Sequence, residues 1–367
     1  MKAPCYLCGE PSALEGLCED CYNKDHPLIE FSTPLSIETC KKCGSVKVPG
    51  GWKTITPSTS DDIKEEQVGI LLDREIKPLV EGVSLTLEEE NRLDRVLHLR
   101  VHAVGRSDPS LNEHEEEYPL EIRFTHGSCD MCNRISGGYY EATIQIRADG
   151  RSVTDEEEAA ITALARERTI SAYGKDDKAF ILDIMEDKHG FDIVFGSEHL
   201  CRRIVEEIEL LYLAERKDNY KLVSQERGGK GKYRTTFLLR LPQYVVGDFI
   251  EVSGNPCQVL KIGKGGLSCY DMLKNHSFTM SQKSAKKRNV SFIAPASEKR
   301  AFTVVTYVHG QPIQVMDSTN FEMHELEHNE STKGIEHGET VYLLRHNDKW
   351  HLVPIMQKDV EGEINGF

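Results

Sequence analysis

Four Cys-x-x-Cys pairs place the strongest constraint on how this chain can fold. They use eight of its eleven cysteines: Cys5/Cys8, Cys18/Cys21, Cys40/Cys43 and Cys129/Cys132. Two thiolates three residues apart can bind one zinc ion from a tight turn, and two such pairs complete a closed tetrahedral site. We therefore expect two structural zinc ions, each in a shell that leaves no coordination position for a substrate.

The spacing of the pairs indicates which of them share an ion. The first two pairs are nine residues apart and form the first predicted site. The third and fourth are assigned to the second site because no other pairs remain. An interleaved arrangement, in which the second pair joins a distant one, stays open. The isolated Cys201, Cys257 and Cys269 are predicted to be buried as small apolar residues.

Charge is distributed unevenly along the chain. The formal net charge of the 367 residues is −15, yet residues 220–300 carry a net charge of +10 between two acidic segments. A basic block in an acidic protein predicts a surface for a polyanion such as RNA. The alternative is a set of solvated lysine-rich loops that bind nothing.

Two clusters of cations in the basic block are candidate RNA contacts. One lies on a glycine-rich hairpin tip, where glycine lets the backbone approach a phosphate, although the tip lacks the Lys-Ser/Thr ending of a P-loop. The second cluster begins at Lys283, and Lys264 lies between the two clusters. A loop before residue 52 is predicted to display an aromatic side chain. The predicted RNA-binding residues are Trp52, Arg227, Lys230, Lys232, Arg234, Lys264, Lys283, Lys286, Lys287 and Arg288.

Hydrophobic periodicity divides the chain into four predicted domains. Residues 1–147 combine the cysteine pairs with strands at 96–104 and 118–125, and residues 86–89 have the pattern of a helix start. Residues 148–241, taken with a strand at 139–147 that they share or follow, alternate as β-α-β-β-α-β-β. This pattern predicts an α+β sandwich with a ferredoxin-like strand order. Residues 242–298 and 299–367 have the short strands and turns of two small β-barrels.

Several classes of protein are disfavoured. No apolar run reaches the length of a membrane span, and the first residues lack the apolar core of a signal peptide. We expect a cytoplasmic protein with no membrane partner. Thiols stay reduced in the cytoplasm, which favours zinc binding over disulfides. No catalytic arrangement of Ser, His, Cys or paired carboxylates is supported, so we expect a protein that is not an enzyme.

The order of these features resembles the nonsense-mediated mRNA decay protein 3 family, whose members are adaptors for maturation and export of the large ribosomal subunit. The resemblance covers nearly the whole chain. It implies a monomeric factor that binds the large ribosomal subunit through rRNA and ribosomal proteins on the intersubunit face. Its motifs are Cys5-Tyr-Leu-Cys8-Gly9, Cys18-Glu-Asp-Cys21, Cys40-Lys-Lys-Cys43-Gly44, Pro49-Gly-Gly-Trp52 and Cys129-Asp-Met-Cys132.

The tail has a second resemblance. Gly247-Asp-Phe-Ile-Glu-Val252 and Gln314-Val-Met-Asp317 resemble strands of the two barrels of translation factor 5A. This likeness implies an SH3-like barrel, an OB-like barrel and a position near the tRNA exit site. The loop that carries a modified lysine in that factor corresponds to the loop around Lys264, whose sequence differs, so we expect no modification. Because no nuclear signals follow the barrels, the resemblance implies an archaeal-type form without nuclear export.

Two other functions stay open from the sequence alone. One is a zinc-dependent RNA-modifying or thiol redox enzyme that uses one Cys-x-x-Cys pair as a reactive dithiol. The other is a scaffold whose acidic N-terminal half binds basic ribosomal proteins, with no contribution from RNA. Metal content and thiol reactivity discriminate the first alternative, and charge reversal in the basic block discriminates the second.

Overall fold

The computed structural model describes residues 3–55, 60–225, 231–308 and 311–354. The chain divides into two compact units, Met1–Gly138 and Tyr139–Phe367. The division falls earlier than the boundary after residue 147 that the sequence predicts. The strand at Ala142–Ala148 pairs with two strands of the second unit, and so it belongs there. None of the described helices is long and apolar enough to cross a bilayer.

The first unit is built on a six-stranded sheet. Its strand order is β4-β3-β2-β8-β7-β6, and all neighbours are antiparallel except β2 and β8. The two short strands β1 and β5 pair separately. The elements are α1 Glu19–Asp25, β1 Ile29–Glu30, β2 Leu35–Cys40, β3 Val46–Val48, β4 Gly51–Lys53, α2 Ser60–Glu75, β5 Lys77–Pro78, β6 Ser84–Leu93, β7 Val96–Gly105, β8 His114–Gly127 and α3 Asp130–Ser136.

The core of this unit follows from alternation along β7 and β8. Leu97, Leu99 and Val101 are buried at every second position of β7, and Ile122 of β8 packs with them. Leu71 of α2 joins the same cluster, so the helix covers this face of the sheet. The alternation predicted strands at both places, and the α+β composition is confirmed.

The predicted helix start at residues 86–89 is wrong. These residues lie in β6, which pairs with β7 along its whole length. The pairing places Glu88 opposite Arg100 and Thr86 opposite His102, and Arg100 forms an ion pair with Glu90. Cross-strand pairing of this kind outweighs a local capping pattern, because nine residue pairs form along the ladder at once.

The second unit begins with a five-stranded sheet in the order β10-β11-β9-β13-β12. Two helices cover one face, and the core contains Ile144, Phe191 and Phe237 from neighbouring strands with Ile161 and Ile204 from the helices. The elements are β9 Ala142–Ala148, α4 Asp155–Ala172, β10 Ile181–Asp187, β11 Gly190–Phe195, α5 Glu198–Tyr212, β12 Glu215–Gln225 and β13 Gly231–Leu241.

The strand order departs from the predicted ferredoxin-like order at one place. β13 lies between β9 and β12 and runs parallel to β9, which moves β12 to the edge. The composition of the two strands explains this choice. Phe237, Leu239 and Leu241 of β13 are fully buried and need an interior position, whereas the charged residues of β12 are suited to an edge.

Two further five-stranded antiparallel sheets complete the second unit, with strand orders β17-β16-β15-β14-β18 and β21-β20-β19-β22-β23. Cys257 and Cys269 are buried in the first of these cores, and Cys201 of α5 is buried in the core beneath the sheet of β9–β13, as predicted. The elements are β14 Phe249–Val252, β15 Asn255–Gly263, β16 Gly266–Asp271, β17 His276–Met280, α6 Gln282–Lys287, β18 Ser291–Ala294, β19 Arg300–Thr306, β20 Ile313–Asp317, β21 Met323–Leu326, β22 Thr340–His346 and β23 Lys349–Val353.

An ion-pair network joins the helical layer to the first of these sheets. Glu207 of α5 accepts hydrogen bonds from Arg168 of α4 at 2.8 Å and from Lys264, in the turn after β15, at 3.3 Å. The Arg168 hydrogen bond, opposed by burial and assisted by Lys264, lowers the pKa of Glu207 to about 2. The carboxylate therefore contributes to stability when it is ionised.

We predict that Glu207→Gln destabilises the second unit by about 1–2 kcal/mol at neutral pH, a value discounted for the exposure of both cations. Because the pKa of Glu207 is lowered on folding, its contribution is present above the ordinary pKa of 4.5 and is lost as the pH falls toward 2. Urea denaturation between pH 7 and pH 3 measures the difference. The exposed neighbour Glu206→Gln is the matched control, and an equal effect of the two variants would contradict the network.

Candidate metal centres and the basic surface

The first cysteine cluster brings together Cys5, Cys8, Cys18 and Cys21, whose Sγ atoms all lie within 4.8 Å of one another. Cys5 and Cys8 lie in a tight turn in which the N–H of Gly9 donates to the carbonyl of Cys5 at 2.9 Å. Gly9 has a φ of +87°, a conformation that favours glycine. Cys18 directly precedes α1, so the second pair lies at the start of a helix.

The second cluster has the same construction from more distant parts of the chain. It contains Cys40, Cys43, Cys129 and Cys132, again with all four Sγ atoms within 4.8 Å. The first pair lies in a turn that ends at Gly44, whose N–H donates to the carbonyl of Cys40 at 2.9 Å. The second pair begins α3, with Cys129 as its N-cap residue.

The parallel strands β2 and β8 bring these two pairs together. Cys40 is the last residue of β2 and lies opposite Gly127, the last residue of β8. Cys129 follows two residues later, and its N–H donates to the Sγ of Cys40 at 3.4 Å. The structure therefore groups the four pairs in sequence order, and the interleaved pairing is not the one it contains.

Hydrogen bonds to sulfur tune the thiols of each cluster. Burial raises the pKa of Cys5 and of Cys40, but three backbone N–H donors outweigh it and lower each to about 6. The thiol of Cys21 donates to the sulfur of Cys18, which with burial raises its pKa to about 12. Burial likewise raises the pKa of Cys129 to about 11. One thiolate forms readily in each cluster, and four together require a cation.

The donor set defines which cation fits. Each described cluster offers four sulfur ligands, and sulfur atoms bonded to one tetrahedral zinc ion at about 2.3 Å are about 3.8 Å apart. Two of the sulfur pairs, Cys8 with Cys18 and Cys43 with Cys129, are 3.4 and 3.5 Å apart. The eight residues therefore fit two tetrahedral metal ions of the soft or borderline type. In such sites a metal acts as a structural cross-link.

The predicted display of Trp52 on a loop is wrong. Trp52 lies in β4, opposite Lys47 of β3, and its half-buried ring packs against the second cysteine cluster. The Nζ of Lys47 lies 5.9 Å from the centre of the ring. The indole thus supports the metal site and shields it from water, because an apolar shell around a thiolate site controls solvent access.

Two other side chains near this cluster had no clear signal in the sequence. The side chain of Gln67 in α2 is buried and donates to the carbonyl of Gly44 at 2.8 Å. The hydroxyl of Ser45 lies 3.0 Å from the Sγ of Cys43. A serine two residues after a cysteine is a weak pattern, and the contact of Gln67 depends on how α2 packs.

The predicted RNA-binding residues occupy different settings. Lys232 and Arg234 lie on β13, where the guanidinium of Arg234 is 3.9 Å from the ring centre of Tyr140. Lys264 is engaged with Glu207, which competes with any phosphate for its charge. The exposed Lys283, Lys287 and Arg288 lie on or directly after α6. Arg227, Lys230 and the side chain of Lys286 lie outside the described residues.

Taken together, fold and site define a two-unit protein with two four-cysteine clusters in its N-terminal unit. Residues 5–137 match the family description "NMD3, N-terminal domain". Residues 139–241 match "NMD3, second domain". The chain therefore belongs to the NMD3 family, and the family boundary at residue 138 coincides with the division between its two units.

Solved structures show a limited likeness to part of the chain. One of them is the eukaryotic translation initiation factor 5A from Methanococcus jannaschii, with 19% sequence identity and a TM-score of 0.20. The match covers 31% of this chain and 91% of that one. No curated protein matches the chain.

We predict that the purified chain binds two metal ions and that each cluster loses its ion independently. Cys5→Ser and Cys40→Ser should each reduce the metal content by one ion per chain, because three sulfurs do not complete the shell. The buried Cys201→Ser is the matched control and should keep both ions. Elemental analysis measures the content.

The same preparations distinguish a structural site from a reactive dithiol. Cluster thiols should react with a thiol reagent only after a chelator is added. A chain with one ion and one fast-reacting pair would contradict the structural assignment and favour a redox enzyme.

Proposed function

We propose that this protein binds the large ribosomal subunit and acts there as a biogenesis or surveillance factor. The observation that carries the proposal is its membership of the NMD3 family, which residues 5–137 and 139–241 support separately. Members of this family are adaptors for the large subunit. In this proposal the chain recognises its partner by binding alone, so it is an adaptor and not an enzyme, and it acts as a cytoplasmic monomer.

The charge distribution supports RNA as part of the target. The whole chain has a net charge of −15, and a uniformly acidic surface would repel rRNA. Residues 220–300 instead carry +10, and the exposed cations of α6 and β13 belong to this block. Contacts of this kind bind phosphate and position the protein, while the shape of folded RNA determines the site.

The metal in this proposal is zinc, and it is bound by Cys5, Cys8, Cys18, Cys21, Cys40, Cys43, Cys129 and Cys132. Four thiolates are the ligands of closed structural zinc sites, and such ions contribute directly to folding. In this chain they hold two turns and two helix starts in place, and the second also fixes the end of the parallel strands β2 and β8. In this proposal the zinc ions do not contact the ribosomal subunit, and the protein surface around them binds it.

The two C-terminal sheets complete the proposal. We assign the sheet of β14–β18 to an SH3-like barrel and that of β19–β23 to an OB-like barrel, on the sequence likeness to translation factor 5A. The tail would then bind near the tRNA exit site, while the first unit contacts rRNA and ribosomal proteins on the intersubunit face. The engagement of Lys264 with Glu207 fits a tail that shares the site of that factor without its modified lysine.

We predict that the full chain co-migrates with large ribosomal subunits in sedimentation at low salt and that binding weakens steeply as salt increases. A contact to six phosphates would lose roughly a thousandfold in affinity between 50 and 200 mM salt, because bound cations are released. Titration of the bound fraction against salt measures the slope. Absent or salt-insensitive binding would contradict the proposal.

We predict that reversing four charges in the basic block weakens subunit binding at least about tenfold, since each phosphate contact contributes to the electrostatic part of affinity. The variant carries Lys230→Glu, Lys232→Glu, Lys286→Glu and Lys287→Glu. The matched control reverses four exposed lysines elsewhere, Lys24, Lys77, Lys175 and Lys188. Equal affinity of the two variants would instead support a scaffold that binds ribosomal proteins alone.

A further inference from the structure

The hairpin of β12 and β13 extends beyond the sheet to which it belongs. The pairing of β13 with β9 begins at Thr235, opposite Ala142. The hairpin continues past this point, with Lys221 opposite Arg234 and Leu222 opposite Tyr233. Its described outer part, residues 220–225 and 231–234, is therefore a two-stranded ribbon, and we call it the outer ribbon.

One face of the outer ribbon is aromatic and exposed. Leu222 and Tyr233 are directly opposed, and Tyr220 lies at the next position of the same face. These three side chains continue the face that Phe237 and Leu239 present to the core. In the outer ribbon, however, Leu222 is 53% exposed, Tyr233 is 56% exposed and Tyr220 is 53% exposed. Large apolar side chains grouped on a protruding element indicate an interaction surface.

The Tyr233 ring packs over Gly231 beside Leu222. A Cβ atom on Gly231 would lie 2.8 Å from Cδ1 of Leu222 and 2.9 Å from Cε2 of Tyr233. The side chains of Leu222 and Tyr233 thus lie over Gly231, and the absence of a side chain on the glycine leaves room for them. At the base of the ribbon, the hydroxyl of Tyr220 donates to Asp218 at 3.3 Å. Each ring thus has a contact within the chain before any partner arrives, which lowers the entropy lost when the ring is ordered on binding.

The charge of the outer ribbon identifies its partner as an anion. Its described residues contain Lys221, Lys232 and Arg234 and no carboxylate, in a chain with a net charge of −15. These cations lie on the opposite face from the tyrosines, because side chains alternate along a strand. A protein interface is usually depleted of lysine at its centre, whereas aromatic rings and cations together on one element are typical of surfaces that bind unpaired nucleotides. Because the ribbon is only two strands wide, long lysine side chains on one face can reach phosphates at its edges.

We infer that the outer ribbon is a stacking platform for unpaired RNA bases, with Tyr220 and Tyr233 each taking one base and Lys221 and Lys232 contacting the adjoining phosphates. Diagonal cross-strand neighbours lie about 7–8 Å apart, which suits two nucleotides on one strand of RNA. Tyrosine can stack on any base, so the ribbon does not discriminate between sequences. Stacking needs an unpaired base, and the ribbon therefore selects single-stranded loops over duplexes. This inference rests on the proposed binding to the ribosomal subunit and names the RNA structure that this part of the chain would contact.

The test uses the full chain and a labelled single-stranded RNA of about 12 nucleotides without self-complementarity, with a duplex of the same composition for comparison. Fluorescence anisotropy gives the affinities. Tyr220→Ala and Tyr233→Ala should each weaken single-strand binding by about 5- to 100-fold, which is the range for loss of one stacked base. Tyr233→Phe keeps the ring and should stay within about twofold of the wild type. Duplex binding should be unchanged.

A second variant tests the geometry of the platform. Gly231→Ala leaves both tyrosines in the chain but places a methyl group where the Leu222 and Tyr233 side chains lie. It should weaken single-strand binding, while metal content and the thermal unfolding transition stay as in the wild type. The same two measurements on every variant show that the fold is intact. Wild-type affinity of Tyr220→Ala and Tyr233→Ala for the single strand would overturn the inference.

Sedimentation with large subunits separates this inference from the proposed function. If the wild type co-migrates and the alanine variants bind the oligonucleotide normally, the platform is wrong and the proposed function stands. If the wild type does not co-migrate, the proposed function fails whatever the oligonucleotide shows. Loss of subunit binding in the alanine variants with unchanged oligonucleotide affinity would overturn the platform and assign the face to a ribosomal protein.

Discussion

The parallel pairing of β2 with β8 is the contact on which the arrangement of the first unit depends. The two strands end at the same edge of the sheet, with Cys40 opposite Gly127. This places two cysteine pairs that are 86 residues apart around one point. A metal ion there would close a long loop of the chain, and by the loop-closure relation for a covalent cross-link such a constraint would contribute on the order of 4 kcal/mol. Trp52 packs on the cysteine cluster, and Gln67 donates a hydrogen bond to the carbonyl of Gly44 in the turn. The metal site is thus a consequence of strand register as well as of cysteine spacing.

In the second unit, the inner part of the β12–β13 hairpin contributes to the core, and its outer part is available for binding. The inner half of β13 carries the buried Phe237 and Leu239 and lies in the middle of the sheet. Its outer half leaves the sheet, and the same alternation that buries side chains near the helices exposes Tyr233 farther out. The core therefore holds the base of the hairpin rigidly while its end is available to a partner. The network of Glu207, Arg168 and Lys264 connects the helical layer to the first C-terminal sheet, so this sheet is positioned relative to the hairpin.

Much of this architecture could be predicted from the sequence because its signals are local. Cys-x-x-Cys spacing and the alternation in β7 each depend on a few adjacent residues. Features that depend on distant partners could not be predicted. The capping pattern near Thr86 is overridden by pairing with β7, and the interior place of β13 depends on competition with β12 for burial. The same limit applies to single side chains: the packing of Trp52 on a cysteine cluster and the ion pair of Lys264 with Glu207 both depend on residues distant in the sequence.

Together these features describe an NMD3-family protein whose first unit combines strand register with two four-cysteine clusters, and in which a basic, partly aromatic surface of the second unit would bind the ribosome. Electron cryomicroscopy of the full chain on large ribosomal subunits at low salt tests this account most directly. It predicts that β12, β13 and α6 face rRNA, with both cysteine clusters intact in the bound protein. A complex in which residues 220–300 face solvent, and the chain is held by ribosomal proteins against its acidic first unit, would contradict it.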